Sequence, residues 1–342
     1  MTNFGGHWIV GNMKTTANFV KNMKRKIYTL FITIAASVSS VAETVTPIPF
    51  GNMNAWETRN IPESFILGGN TKTLYEIAPD AVVDGDIVYK NKGGSPWATS
   101  NVLAHVKGIT KGSNAVEPCV RSGSDKAAQL NTIMERCKVI GIINIDVLVG
   151  GSIFLGEMLE PVSSTSNPYS HMVMGIPFDK RPSALQYDYK VAMPDVDERI
   201  YSSGFGRKKT LPGRDNAEVF IILQRRWEDA EGNLYAKRVA TGRERFAKST
   251  EGWVNGHRLD IKYGDITKAP GYKEYMGLIP EDKSYYARNS KGKMVPVKEV
   301  GWDAPDATPT HMLVMASAAS GTAYIGTPGL TLWVDNFALV YP

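Results

Sequence analysis

The chain closes on Leu332-Trp333-Val334-Asp335-Asn336-Phe337-Ala338-Leu339-Val340-Tyr341. β-branched, aliphatic and aromatic residues dominate this stretch, so it reads as a strand. Similar stretches recur upstream. Val219, Ile221 and Leu223 alternate with Phe220, Ile222 and Gln224. Leu185, Tyr187, Tyr189 and Val191 alternate with Gln186, Asp188 and Lys190, and Met312 and Val314 open another run. Period-two runs cut by Gly and Pro turns are the strand signal. Many such strands without alternating helices predict an all-β protein, a jelly-roll β-sandwich. One segment resists. Ala127, Leu130, Ile133, Met134 and Cys137 fall at helical spacing, and Ser124 or Asp125 could cap a helix there.

The other end of the chain has a different character. Lys21, Lys24, Arg25 and Lys26 precede an apolar run from Ile27 to Val38, and Ser40 and Ala42 follow at cleavage-site spacing. This is the pattern of a secretory signal peptide. The apolar run is shorter than the roughly 20 residues of a membrane span, and no Cys follows it to carry a lipid. Residues 1–42 are therefore expected to be an N-terminal extension plus signal peptide, and 43–342 a single exported domain, periplasmic or extracellular. The leader holds five of the 39 basic residues and none of the 34 acidic ones. The rest of the chain is thus electrically balanced, which argues against nucleic acid as a partner. Cys119 and Cys137 are the two cysteines. Export permits a disulfide between them, and two separate thiols are the alternative. No C-x-x-C is present to suggest a redox motif or a zinc ribbon.

Most short motifs dissolve on inspection. Gly204-Phe205-Gly206-Arg207-Lys208-Lys209-Thr210 lacks the spacing of a phosphate loop. Asp84-Gly85-Asp86 and Asp195-Val196-Asp197-Glu198 lack that of a calcium loop. His105, His171, His257 and His311 are scattered, and no G-x-S-x-G occurs. Long polar loops remain, at Pro161–Pro168, Ser202–Arg214 and Asp282–Lys293. Such loops on a rigid scaffold are where binding sites are built.

Aromatic residues carry a stronger signal. A sugar ring has apolar C–H faces and a polar rim, which an aromatic plane flanked by polar groups matches. Trp97 sits in the turn-rich Gly93–Asn101 stretch, so Trp97 and Asn101 are expected at a ligand pocket. The strand Gln186–Lys190 supplies the second set: Tyr187 and Tyr189 on one face, Asp188 and Lys190 on the other. Only one face can meet a ligand if the other lines a core. Trp333 is expected in the core or on a sheet face.

Several of these pieces together resemble a Bacteroidetes family of exported proteins, the putative carbohydrate metabolism domain. They are Pro49–Trp56, Trp97–Asn101, Ala127–Thr132, Gly151–Gly156, Gly175–Phe178 with Arg181-Pro182, Tyr187–Lys190 and Leu332–Phe337. The resemblance implies a jelly roll with a glycan pocket, and implies that Ala127–Thr132 is a strand. Some relatives carry an immunoglobulin-like domain first; with few residues before Phe50, a single domain is expected here. The terminal Val-Asp-Asn-Phe also looks like the last strand of carbohydrate-binding modules. There it implies a structural calcium on Asp335 with Asn52 or Asn54, although no cofactor is required.

The expected function is binding or handling of an oligo- or polysaccharide by a monomer that does not span a membrane. Trp97, Tyr187 and Tyr189 would stack on sugar, while Asn101, Asp188 and Lys190 bond hydroxyls. A glycoside hydrolase using a carboxylate pair, with Glu157, Asp188 and Asp215 as candidates, is the alternative. A surface structural protein is the third reading. No catalytic signature decides whether the chain is an enzyme, and no catalytic residue is assigned.

Overall fold

Two large antiparallel-rich sheets face each other across an apolar core in a computed structural model that describes residues 1, 42–91, 93–139, 143–204, 206–320 and 322–342. The expected signal peptide lies outside the described residues. The architecture is an all-β sandwich of the jelly-roll class, with no α-helix and only short 3₁₀ turns among the described residues. No helix there is long and apolar enough to cross a membrane.

The first sheet runs Ile143–Gly150, Asp125–Val139, Thr331–Tyr341, Ala184–Ala192, Val254–Asp260; Thr44–Pro47 and Val116–Ser122 pair onto it. The terminal stretch is a strand, as its composition predicts, and it lies in the middle of this sheet. Asp125–Val139 is a strand throughout, which settles Ala127–Thr132 against its helical spacing. Its first half lies between two neighbours, Val116–Ser122 and Thr331–Tyr341, and its second half pairs with Ile143–Gly150. Burial therefore changes along it, and apolar residues fall out of strict alternation. Cys119 and Cys137 are both free thiols on this sheet.

The terminal strand also breaks phase. Leu332 and Val334 are buried in the core, and Trp333 stands on the outer face. Asp188 pairs with Asp335 while Gln186 pairs with Ala338, so one extra residue enters the terminal strand. Asn336 absorbs it at φ 55°, a left-handed geometry that Asn tolerates. Beyond this bulge Phe337 and Leu339 take over the core face.

The second sheet contains Ala217–Glu228, flanked by His311–Ser317 and Leu234–Phe246. Its first eight residues, Ala217–Gln224, are all buried. Val219, Ile221 and Leu223 face the main core. Phe220 and Ile222 belong to a separate cluster on the other face, with Phe154, Met174 and Leu313. A strand hidden on both faces needs cover on both.

Here the cover is the sheet itself. His311–Ser317 pairs with Ala217–Glu228 and also with Ser152–Met158. From Ser152–Met158 the pairing continues through Met172–Met174, Tyr286–Arg288 and Met294–Trp302 back to Leu234–Phe246. The pairings therefore close a ring around the second cluster. Gly156 makes the turn possible. It sits at φ 148°, and a Cβ there would meet the Val173 carbonyl oxygen at 1.9 Å. Each large apolar side chain buried this way contributes about 1.5–3 kcal/mol.

One end of the ring is locked by charge. Arg238 donates to Glu299 through Nε at 2.7 Å and Nη2 at 2.5 Å, and to Thr241 through Nη1 at 2.9 Å. Glu299 also accepts from the Gln224 amide and the Ile279 N–H, both at 2.7 Å. Both charged side chains are 0% exposed. Arg238→Met strands Glu299 in that interior, and chemical denaturation should show a loss of about 3–5 kcal/mol. The double variant Arg238→Met/Glu299→Leu should recover only part of it, because the Gln224 amide and the Ile279 N–H lose their acceptor.

Candidate functional site

The opposite end of the ring opens into a cavity of about 260 Å³. Its floor follows from strand register. Glu218, Ser317 and Ser152 are cross-strand neighbours in one row, with Arg245 opposite Glu218. Phe220, Arg243, Met315 and Phe154 form the next row. Period two sends both rows to the face away from the main core. Three tyrosines wall the cavity: Tyr169, Tyr285 and Tyr324. Tyr169 meets Tyr285 edge-on at 5.9 Å, and Tyr285 stacks over Phe220 at 6.2 Å. Residues 162–172, 319–320 and 322–325 supply much of the rim.

Glu218 is the one carboxylate lining the cavity among the described residues. Arg243 reaches it through Nε at 3.2 Å and Nη2 at 2.8 Å, and Arg245 through Nε at 2.6 Å. Behind the rim, the Ser320 hydroxyl donates to Asp215 at 2.9 Å. Burial holds Asp215 above the usual carboxylate range, and its Oδ2 has no partner. Burial also raises the phenol pKa of Tyr169, Tyr285 and Tyr324, so all three keep their protons at neutral pH.

The residues expected from the sequence fall elsewhere. Trp97 is 1% exposed. Its indole donates to the Pro49 carbonyl at 2.9 Å and its ring lies 5.1 Å from Phe337. Asn101 is fully buried and ties backbone together, donating to the Tyr75 and Val116 carbonyls at 2.8 Å. Both are framework, because Trp97–Thr99 is a short strand turned inward rather than a surface loop. Tyr187 and Tyr189 point into the sandwich, where Tyr187 bonds Glu244 and both rings pack against His257.

Asp188 and Lys190 lie on the outer face of the first sheet, as period two predicts. A cross-strand row there runs Glu117, Gln129, Trp333, Lys190. Lys190 Nζ sits 4.0 Å from the Trp333 ring and 5.8 Å from Trp253. Beside it, Arg121 Nη1 donates to Asp188 at 2.7 Å and Asp335 at 2.6 Å. The guanidinium also stacks on Trp253 at 4.3 Å. Burial pushes Asp335 up to about 6 despite Arg121. Burial works on Asp188 too, but Asn336, Gly256 and Arg121 together hold it below the usual value.

A calcium ion on Asp335 does not fit this arrangement. Such an ion takes six to eight oxygen ligands, whereas the Asp335 carboxylate is met by a fixed guanidinium. Asn54 is spent on Asp125 and the Lys126 N–H, and Asn52 is exposed. No group of three or more His, Cys, Asp or Glu among the described residues could hold a metal.

The hydrolase candidates do not converge. Glu157 is half exposed and paired with Arg288 at 3.2 Å, Asp188 is on the other sheet, and Asp215 is one hydrogen bond behind the cavity. Sequence reasoning passed over Glu218, Arg243 and Arg245. Their signal was present: an acid inside the apolar run Ala217–Leu223, and two arginines at period two around Glu244. The loops Pro161–Pro168 and Asp282–Lys293, singled out by composition, do border the cavity through Thr165 and Tyr285.

The sequence pattern of the family described as "Putative carbohydrate metabolism domain" matches residues 68–272. Two solved structures are similar at a TM-score of 0.41. One is described as a putative glycoside hydrolase from Bacteroides thetaiotaomicron, 16% identical, covering 80% of this chain and 76% of its own. The other is described as a putative glycoside hydrolase from Bacteroides vulgatus, 14% identical, covering 78% and 91%. No curated protein matches.

The Arg121 cluster makes a pH-dependent prediction. Because the folded Asp335 value of about 6 exceeds the usual 3.8, its proton stabilises the fold in acid and that contribution is lost as pH rises through 6. Arg121→Met removes the compensating charge and raises Asp335 further. Denaturation should show the variant about 2 kcal/mol less stable than the parent at pH 8, with the gap narrowing as pH falls below 6.

Proposed function

This chain belongs to the putative carbohydrate metabolism domain family, and from that premise we propose that it is an exported protein whose ring-end cavity binds a saccharide. The observation that carries this reading is one cavity with a tyrosine wall and a polar floor. Tyr285 and Tyr169 offer ring surface to sugar C–H faces. Glu218, Arg243 and Ser152 offer acceptors and donors to hydroxyls. At about 260 Å³ the cavity falls below the roughly 300–1,000 Å³ of drug-sized ligand sites. Its occupant is therefore a single ring or the terminal residue of a chain.

Binding is favoured over hydrolysis on geometry. Two-carboxylate hydrolysis needs acids roughly 5–5.5 Å or 6.5–9.5 Å apart across the scissile bond. Glu218 stands alone in the lining, and both its oxygens already accept from guanidinium groups. The leader pattern at residues 23–42 supports export, which places the protein where polysaccharide is met.

Calorimetry against a panel of oligosaccharides tests the reading. Tyr285→Ala should weaken the best binder at least about tenfold, about 1.4 kcal/mol, while Tyr285→Phe keeps the ring and most of the affinity. Incubation with that glycan should release no new reducing ends. Release that Glu218→Gln abolishes would replace binding with hydrolysis.

A further inference from the structure

The cavity floor carries one guanidinium, Arg243, whose donors are only partly used. Arg243 has five N–H donors. Nε and one hydrogen of Nη2 go to Glu218 along one edge of the guanidinium. No acceptor among the described residues takes Nη1, so the Nη1–Nη2 edge remains available. Glu218 meanwhile serves two cations, since Arg245 Nε also donates to it at 2.6 Å. Arg245 itself stands outside the lining and also donates to the Ser320 carbonyl at 2.6 Å, so Arg243 is the one guanidinium and Glu218 the one carboxylate lining the cavity among the described residues.

The open donor edge stays charged at any physiological pH. Burial works against the Arg243 charge, but Glu218 beside it outweighs burial, and a guanidinium does not lose its proton in proteins. The Phe220 ring lies 5.1 Å from the Arg243 carbon and helps fix its plane. Met158, Met172, Met315 and Tyr285 give the cavity an apolar lining, where a charged donor edge acts more strongly than in water. A neutral sugar would leave this edge without its natural counterpart. A carboxylate fits it, because the guanidinium fork matches two carboxylate oxygens in one plane.

We propose that the occupant of the cavity is an acidic sugar, a hexuronate whose carboxylate lies on the free Nη1–Nη2 edge of Arg243 while its ring faces Tyr285. This rests on the saccharide-binding reading above and names its ligand class. Arg243 is then the group that decides specificity, with Glu218 and Arg245 holding it in place.

The test pairs each acidic probe with its own neutral form. Oligogalacturonate and glucuronate-bearing oligosaccharides are titrated into the full-length protein beside their carboxyl-reduced counterparts, which keep the rings and lose the charge. The acidic member should bind at least about tenfold more tightly. That preference should shrink between about 0.1 and 1 M salt, as the screening length falls from about 10 to 3 Å. Arg243→Gln should bring the ratio close to one. If Arg243→Gln does not fold, the salt series on the unaltered protein decides alone. Equal affinity for both members, insensitive to salt, overturns the acidic-sugar assignment and leaves the saccharide reading standing. Binding of neither member overturns both.

Discussion

The strand Ala217–Glu228 hides both of its faces over eight residues, and most of the molecule answers to that demand. One face is covered by the opposing sheet, as in any sandwich. The other would expose Phe220 and Ile222 to water. The sheet solves this by curling: Ser152–Met158 leaves His311–Ser317 at Gly156 and pairs onward until the ring closes at Leu234–Phe246. A cavity remains where the ring's apolar filling ends. Binding sites at the mouths of barrel-like closures are common for the same reason.

Charge placement follows the ring. At the closed end Arg238 and Glu299 are fully buried with their hydrogen-bonding groups paired. At the open end Glu218 and Arg243 line the cavity, with Arg245 bonded to Glu218 from outside the lining. Buried pairs add little net stability, and breaking one is costly. The closed end therefore acts as a lock on register, and the open end keeps a spare donor edge. Arg121 plays a third part on the far sheet, joining Asp188 to Asp335 across the bulge at Asn336.

Much of the fold was legible in the residues. Period-two runs named the central strands of both sheets, and the terminal stretch is central to the first. The strand Ala127–Thr132 needed the family resemblance, because its neighbours change along its length and blur the alternation. The site was less legible. Trp97 sits among turn residues yet belongs to an inward strand, and context misplaced it. Lys190 and Asp188 were put on the right face of their strand, but that face lies on the sheet without the cavity. Glu218, Arg243 and Tyr285 come from distant segments, and only the ring closure brings them together. A lone acid inside Ala217–Leu223 was the available hint, since a polar group at a core position must have a partner or a purpose.

A crystal structure with a bound oligosaccharide tests the central claim most directly. The account predicts a sugar ring in the cavity, against Tyr285 and within hydrogen-bond distance of the Glu218–Arg243 pair. Density for the sugar on the Trp253–Lys190–Trp333 face of the other sheet, with the cavity holding none, would contradict it.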